Sequence, residues 1–258
     1  MNEKNATTGM PGALTSGEVL LTDSIATLQI DNQTGKKKKQ KPPKPGSKKA
    51  QLVKKSPPTN SKSILRESIG TPIIYCVKTV IIVECINTIQ LKNCLENVHV
   101  FYENNKLNGP LKGINFPLSV WFEWLNLNHD SLNLDELYIQ RAVEQFSDGV
   151  YLIGYIKGDQ QTYIHEWAHS HYFISSEFRK MVAELWATLD TKLKSVIERE
   201  LVMRNYKPEV FEDEFQAYVF ESPTDFGNRW KSLLLPIHKQ LKSVIDVPKL
   251  DESMKLRI

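Results

Sequence analysis

The chain has 258 residues, a formal net charge of +3, five tryptophans and three cysteines. That length holds one large domain or two small ones. Cys76, Cys85 and Cys94 are odd in number and too widely spaced for a Cys-x-x-Cys knuckle, which speaks against a disulfide framework and for reduced thiols in an intracellular compartment, cytoplasmic or nuclear.

The polar start at residues 1–4 has no apolar run directly behind it, so no secretory signal is expected. Basic residues then crowd between Lys37 and Lys55, interleaved with Pro42, Pro43 and Pro45. A Lys/Pro/Ser/Gly segment has too little to bury to repay the entropy of ordering it. Residues 1–63 therefore read as a disordered basic arm, and residues 64–258 as one folded domain. The positive charge belongs to the arm, whose residues 34–63 offer a weak nucleic-acid contact. The most apolar stretch, residues 72–85, is broken by Lys78 and too short to span a bilayer, so no membrane association is expected.

The folded part opens with β-branched runs at 73–77 and 79–83, and residues 98–102 alternate like a further strand. A turn cluster occupies 104–110. Pro117 starts a helix through Val120, Trp121 and Trp124, and a second runs from Leu134 to about Phe146 behind Asn133 as N-cap. Residues 150–156 form a strong strand, ended by Gly158 and Asp159. A helix over 160–173 follows. Phe178, Val182, Leu185, Leu189, Leu193, Val196 and Leu201 then recur at helical steps and predict one long helix. Further helices are expected over 209–220 and 226–244. Strands first and helices after is an α+β order.

The 160–173 helix contains His165-Glu166-Trp167-Ala168-His169, an HExxH motif. Histidines four apart on a helix stand on one face, so both imidazoles can reach one Zn2+. Glu166, beside the first ligand, is placed as general base without occupying a coordination position. Trp167, Ala168 and Phe173 fall on other faces and would bury the helix. His171 points off the ligand face, and His238 is distant.

Zinc with two histidines needs a third protein ligand, and the acidic run Glu212-Asp213-Glu214 supplies candidates. An acidic helix start suits Glu212 and Asp213 on dipole grounds alone; Glu214 is the preferred ligand. Ala217, three residues on, would let this helix approach the motif helix. Asp213 or Glu221 would orient the imidazoles.

HExxH followed some tens of residues later by Glu214-Phe215-Gln216-Ala217 resembles the gluzincin metallopeptidases, with the ligand helix similar to that of lethal-factor-type toxins. The resemblance covers about residues 150–220. It implies a zincin-like fold: a short mixed sheet, an active-site helix beneath it and a ligand helix behind. It implies too that residues 150–156 form an edge strand able to pair with a substrate backbone. The activity implied is an intracellular zinc endopeptidase acting on a protein or peptide. Tyr206 is the first candidate for donor to the oxyanion, because it resembles a tyrosine of those toxins; Tyr218 and Tyr172 are alternatives. No third histidine follows the motif, unlike metzincins and the Spartan-type crosslink proteases. Two other readings compete: an inactive zincin-fold binding module, and a nucleic-acid-associated protein acting through its arm.

Overall fold

The computed structural model describes residues 70–103, 111–147 and 149–258. The arm expected over 1–63 and the turn expected at 104–110 lie outside them. In chain order the elements are β1 (Ile73–Val77), β2 (Val80–Cys85), α1 (Thr88–Glu103), β3 (Gly113–Pro117), α2 (Leu118–Asn128), α3 (Leu134–Val143) and β4 (Tyr151–Ile156). Five helices complete it: α4 (Gln160–Ile174), α5 (Ser176–Ala187), α6 (Thr191–Met203), α7 (Phe211–Glu221) and α8 (Lys231–Val244). This is an α+β fold on a small mixed sheet of order β1-β2-β4-β3. β2 and β4 run parallel, while β1 and β3 are antiparallel to their neighbours.

Period-two alternation builds three layers. Val80 and Ile82 of β2, with Tyr151, Ile153 and Tyr155 of β4, face a core shared with α4–α8. Ile81, Val83 and Leu152 face the opposite core, shared with α1–α3. A strand covered on both faces needs apolar residues on both, which is why β2 reads as a continuous β-branched run. Gly154 lies where a Cβ would sit 2.4 Å from a Leu95 methyl, so the missing side chain lets α1 lie close on the sheet. No disulfide joins Cys76, Cys85 and Cys94. No described helix is long and apolar enough to cross a membrane.

Several sequence expectations need correction. Residues 98–102 are not a strand but the end of α1, where Leu91, Cys94, Leu95 and Val98 make the buried helical stripe. A short β-branched and aromatic run was outweighed by packing of the whole segment. The long helix is two, α5 and α6, because Asp190 Oδ1 accepts the amides of Lys192 and Leu193 and starts a new N-terminus. The last helix begins at Lys231, five residues later than expected, after a short 3-10 turn at Asn228–Trp230. Helices also interleave with the strands instead of following them all.

The most consequential correction concerns the sheet edge. β4, expected as an edge, is interior, between β2 and β3. The end position belongs to β3, which the hydropathy pattern does not reveal: Gly113-Ile114-Asn115-Phe116-Pro117 is short, and its Gly and Pro argue against an interior strand. The other end is covered, since the Leu256 amide donates to the Ile74 carbonyl at 2.8 Å.

Candidate metal centre

The loop from β4 into α4 fixes where the motif points. Gly158 takes a positive φ of 87° that a Cβ would disfavour. Asp159 then caps α4, its Oδ1 accepting the Thr162 amide at 3.1 Å and its Oδ2 the Thr162 hydroxyl at 2.8 Å. Tyr163, Trp167 and Ala168 bury one side of α4 in the core. Phe173 does not join them: it is 36% exposed and rests on the Tyr151 ring, centroids 4.8 Å apart.

His165 and His169 turn inward from the face that meets α7, and Glu214 of α7 meets them. Ligand atoms of the three residues all lie within 4.8 Å of one another, and all three residues are buried. The two Nε2 atoms are 3.2 Å apart. Glu214 Oε2 lies 3.8 Å from His165 Nε2, and Glu214 Oε1 3.7 Å from His169 Nε2. Ala217, fully buried one turn on, leaves room for the two helices to approach.

The outer nitrogens are both engaged. His169 Nδ1 pairs with Asp213 Oδ1 at 2.8 Å, and His165 Nδ1 with Glu221 Oε2 at 3.1 Å. The sequence left a choice between these two carboxylates, and the structure gives one to each imidazole. A carboxylate at Nδ1 holds the proton there and leaves Nε2 with its lone pair. Two such lone pairs at 3.2 Å repel unless a cation or a proton lies between them. Two nitrogens about 2.0–2.1 Å from one tetrahedral ion would stand about 3.3–3.4 Å apart. The donor set therefore fits an ion.

Electrostatics agree. Glu166, Asp213, Glu214 and Glu221 surround two imidazoles, an excess of negative charge in a buried place. Burial works against a charged His169, yet Asp213, Glu214 and Glu166 outweigh it and push the imidazole up to about 10. Burial, with Asp213 and Glu166, pushes the Glu214 carboxyl up despite the two histidines. Glu214 Oε2 is buried and accepts no hydrogen bond among the described residues. An orphaned carboxylate oxygen is costly, and a metal would satisfy it. A buried His165-His169-Glu214 group can hold a metal ion.

Glu166 turns to the other side, toward β3. Asn115 Nδ2 donates to Glu166 Oε2 at 2.7 Å, and the Tyr151 hydroxyl donates to Asn115 Oδ1. Gly113, two residues earlier on the same face of β3, leaves space for the carboxylate, since a Cβ there would be 2.1 Å from Glu166 Oε1. Neither Asn115 nor Gly113 was singled out by sequence; nothing in a five-residue strand announces which helix it will touch.

Tyr206 and Tyr218 come together, their hydroxyls 3.1 Å apart. The Tyr218 ring packs edge-on against His165 at 4.5 Å. Burial raises the Tyr206 hydroxyl well above its usual range, and the charge of Glu214 adds to this. Arg204, also unanticipated, lies over the Tyr218 ring at 4.3 Å and is held by Asp225 at 2.8 Å. Burial raises Tyr172 to about 12, with Asp213 and Glu212 contributing. His171 is sandwiched between Trp167 and Phe178, and His238 Nδ1 pairs with the Val219 carbonyl. Glu212 belongs to neither the three-residue group nor the imidazole–carboxylate pairs. The chain matches no protein-family model, no curated protein and no solved structure.

Proposed function

We propose that this protein is a zinc-dependent endopeptidase of the gluzincin type, with His165, His169 and Glu214 as ligands and Glu166 as general base. The observation that carries the reading is the convergence of the three buried donors, with each imidazole's Nδ1 engaged by its own carboxylate and an orphaned oxygen on Glu214. A short mixed sheet with the motif helix on one face and α7 packed against that helix supports the zincin comparison.

Bound there, zinc supplies Lewis acidity, polarising the scissile carbonyl and allowing water to act as nucleophile near neutral pH. The protein's own groups do the rest. Glu166 Oε1, not engaged by Asn115, takes the proton of the attacking water and later delivers it to the leaving amine. Asn115 and Tyr151 hold that carboxylate in one orientation. Tyr206 or its partner Tyr218 donates a hydrogen bond from its hydroxyl to the developing oxyanion. An extended peptide reaches the site along β3, the end strand of the sheet beside α4, and not along interior β4.

The test is zinc content and peptide hydrolysis of the purified full chain, for wild type and His165→Ala. About one zinc per chain, lost in the variant together with cleavage of a fluorogenic peptide library, is expected. A well-folded wild type that takes up no zinc would overturn the reading.

A further inference from the structure

Each imidazole–carboxylate pair ends on a glutamine, and the two glutamines differ in kind. Gln161 Nε2 donates to Glu221 Oε1 on the exposed side of the site. Gln216 Nε2 donates at 3.0 Å to Asp213 Oδ1, the same oxygen that takes His169 Nδ1 at 2.8 Å. Gln216 is completely buried, whereas Gln161 is exposed.

The geometry points to Gln216 as a positioning residue for the metal site, acting through Asp213 to hold His169 in its metal-binding orientation. The inference rests on the metal reading of His165, His169 and Glu214.

Asp213 sits at the start of α7, and its side chain is about a quarter exposed. Left alone, such a carboxylate can rotate toward water and release the imidazole. Two donors converging on one oxygen fix its torsion. One comes from α4 and the other from α7's own next turn.

A buried glutamine three residues after an aspartate can also be no more than a local helix pair. The other end of the same amide argues against it. Gln216 Oε1 is buried with no hydrogen-bond partner among the described residues. Burying an unsatisfied carbonyl oxygen is unfavourable, so an apolar side chain of similar length would serve the fold as well or better. The solvent-exposed Gln161 offers a built-in contrast, since water can replace its amide at Glu221.

The experiment uses the full chain and zinc alone, with affinity read by competition against a chromophoric chelator and stability by thermal unfolding of the zinc-free protein. Gln216→Met should weaken zinc by about 10-fold, the lower end of what removing an outer partner of a metal ligand costs. The zinc-free melting temperature should stay level or rise. Gln161→Met should leave affinity within about 2-fold of wild type, because solvent takes over its contact. In an Asp213→Ala background, Gln216→Met should have no further effect, since its route to His169 is gone.

Wild-type affinity in Gln216→Met overturns the inference while leaving the metal reading intact. So does an equal loss of affinity in the Asp213→Ala background, which would mean that Gln216 acts through packing. Should the Met variant not fold, Gln216→Leu reads the same cycle. A wild type that binds no zinc would remove the metal reading itself, and this inference with it.

Discussion

Gly113→Ala tests how the edge strand and the motif helix share space. A Cβ at Gly113 would lie 2.1 Å from Glu166 Oε1, 2.7 Å from Glu166 Cδ and 2.6 Å from Thr162 Cγ2. Comfortable carbon contacts need about 3.5 Å or more. The Glu166 carboxylate can swing away, but doing so breaks its bond from Asn115. Thr162 cannot yield so simply: its methyl is rooted on α4 and its hydroxyl is tied to Asp159 at 2.8 Å. β3 and α4 must therefore separate. Gly113 has no positive φ, so the penalty is steric and not conformational. Overpacking of this kind costs about 1–3 kcal/mol. At about 2–4 °C per kcal/mol for a domain of this size, a mid-range cost of about 2 kcal/mol lowers the melting temperature by about 4–8 °C. Differential scanning calorimetry reads that shift. Zinc content should be unchanged, because β3, which gives way, carries no ligand, while hydrolysis falls with the displaced Glu166. Thr162→Ser removes the clashing methyl and keeps the hydroxyl, so in the Gly113→Ala background it should restore part of the lost stability. A Gly113→Ala protein melting within about 1 °C of wild type, or no recovery with Thr162→Ser, would refute the reasoning.

Three further outcomes are expected. Glu166→Gln should keep its zinc and lose peptide hydrolysis by at least about 100-fold; full activity would remove Glu166 as general base. Glu214→Ala should weaken zinc by at least about 100-fold, more than the loss of an outer partner, and wild-type zinc content by elemental analysis would send the third ligand elsewhere. His99 of α1 is half-buried, its Nδ1 shielded and without a partner among the described residues, and burial, opposed by Glu96, lowers its pKa. The unfolded chain then binds the proton more tightly than the native one, so stability declines as pH falls below about 6.5. In chemical denaturation at pH 7 and pH 5, His99→Leu should shrink that loss; an unchanged difference would show that the decline arises elsewhere.

The sequence by itself determined which residues of one helix stand together at the candidate centre. His165, Glu166 and His169 are spaced by the helical repeat, so their relation to one another is local and legible without a fold. The need for a third donor led to the acidic run Glu212-Asp213-Glu214, with Glu214 preferred, and Asp213 and Glu221 were both in view as partners of the imidazoles. The strands at 73–77 and 150–156 were legible because their apolar runs stand between clear breakers. Only the tertiary structure decided which surface faces Glu166. β3 is short, bounded by Gly113 and Pro117, and carries Asn115, which bonds to Glu166, in a pattern that also suits a loop. Its place beside β4, 51 residues in sequence from the glutamate it holds, comes from long-range pairing that no local signal encodes. The same holds for Arg204 over Tyr218 and for the distribution of one carboxylate to each histidine. Local spacing fixes what a helix can offer, but which partner accepts the offer depends on how distant segments pack.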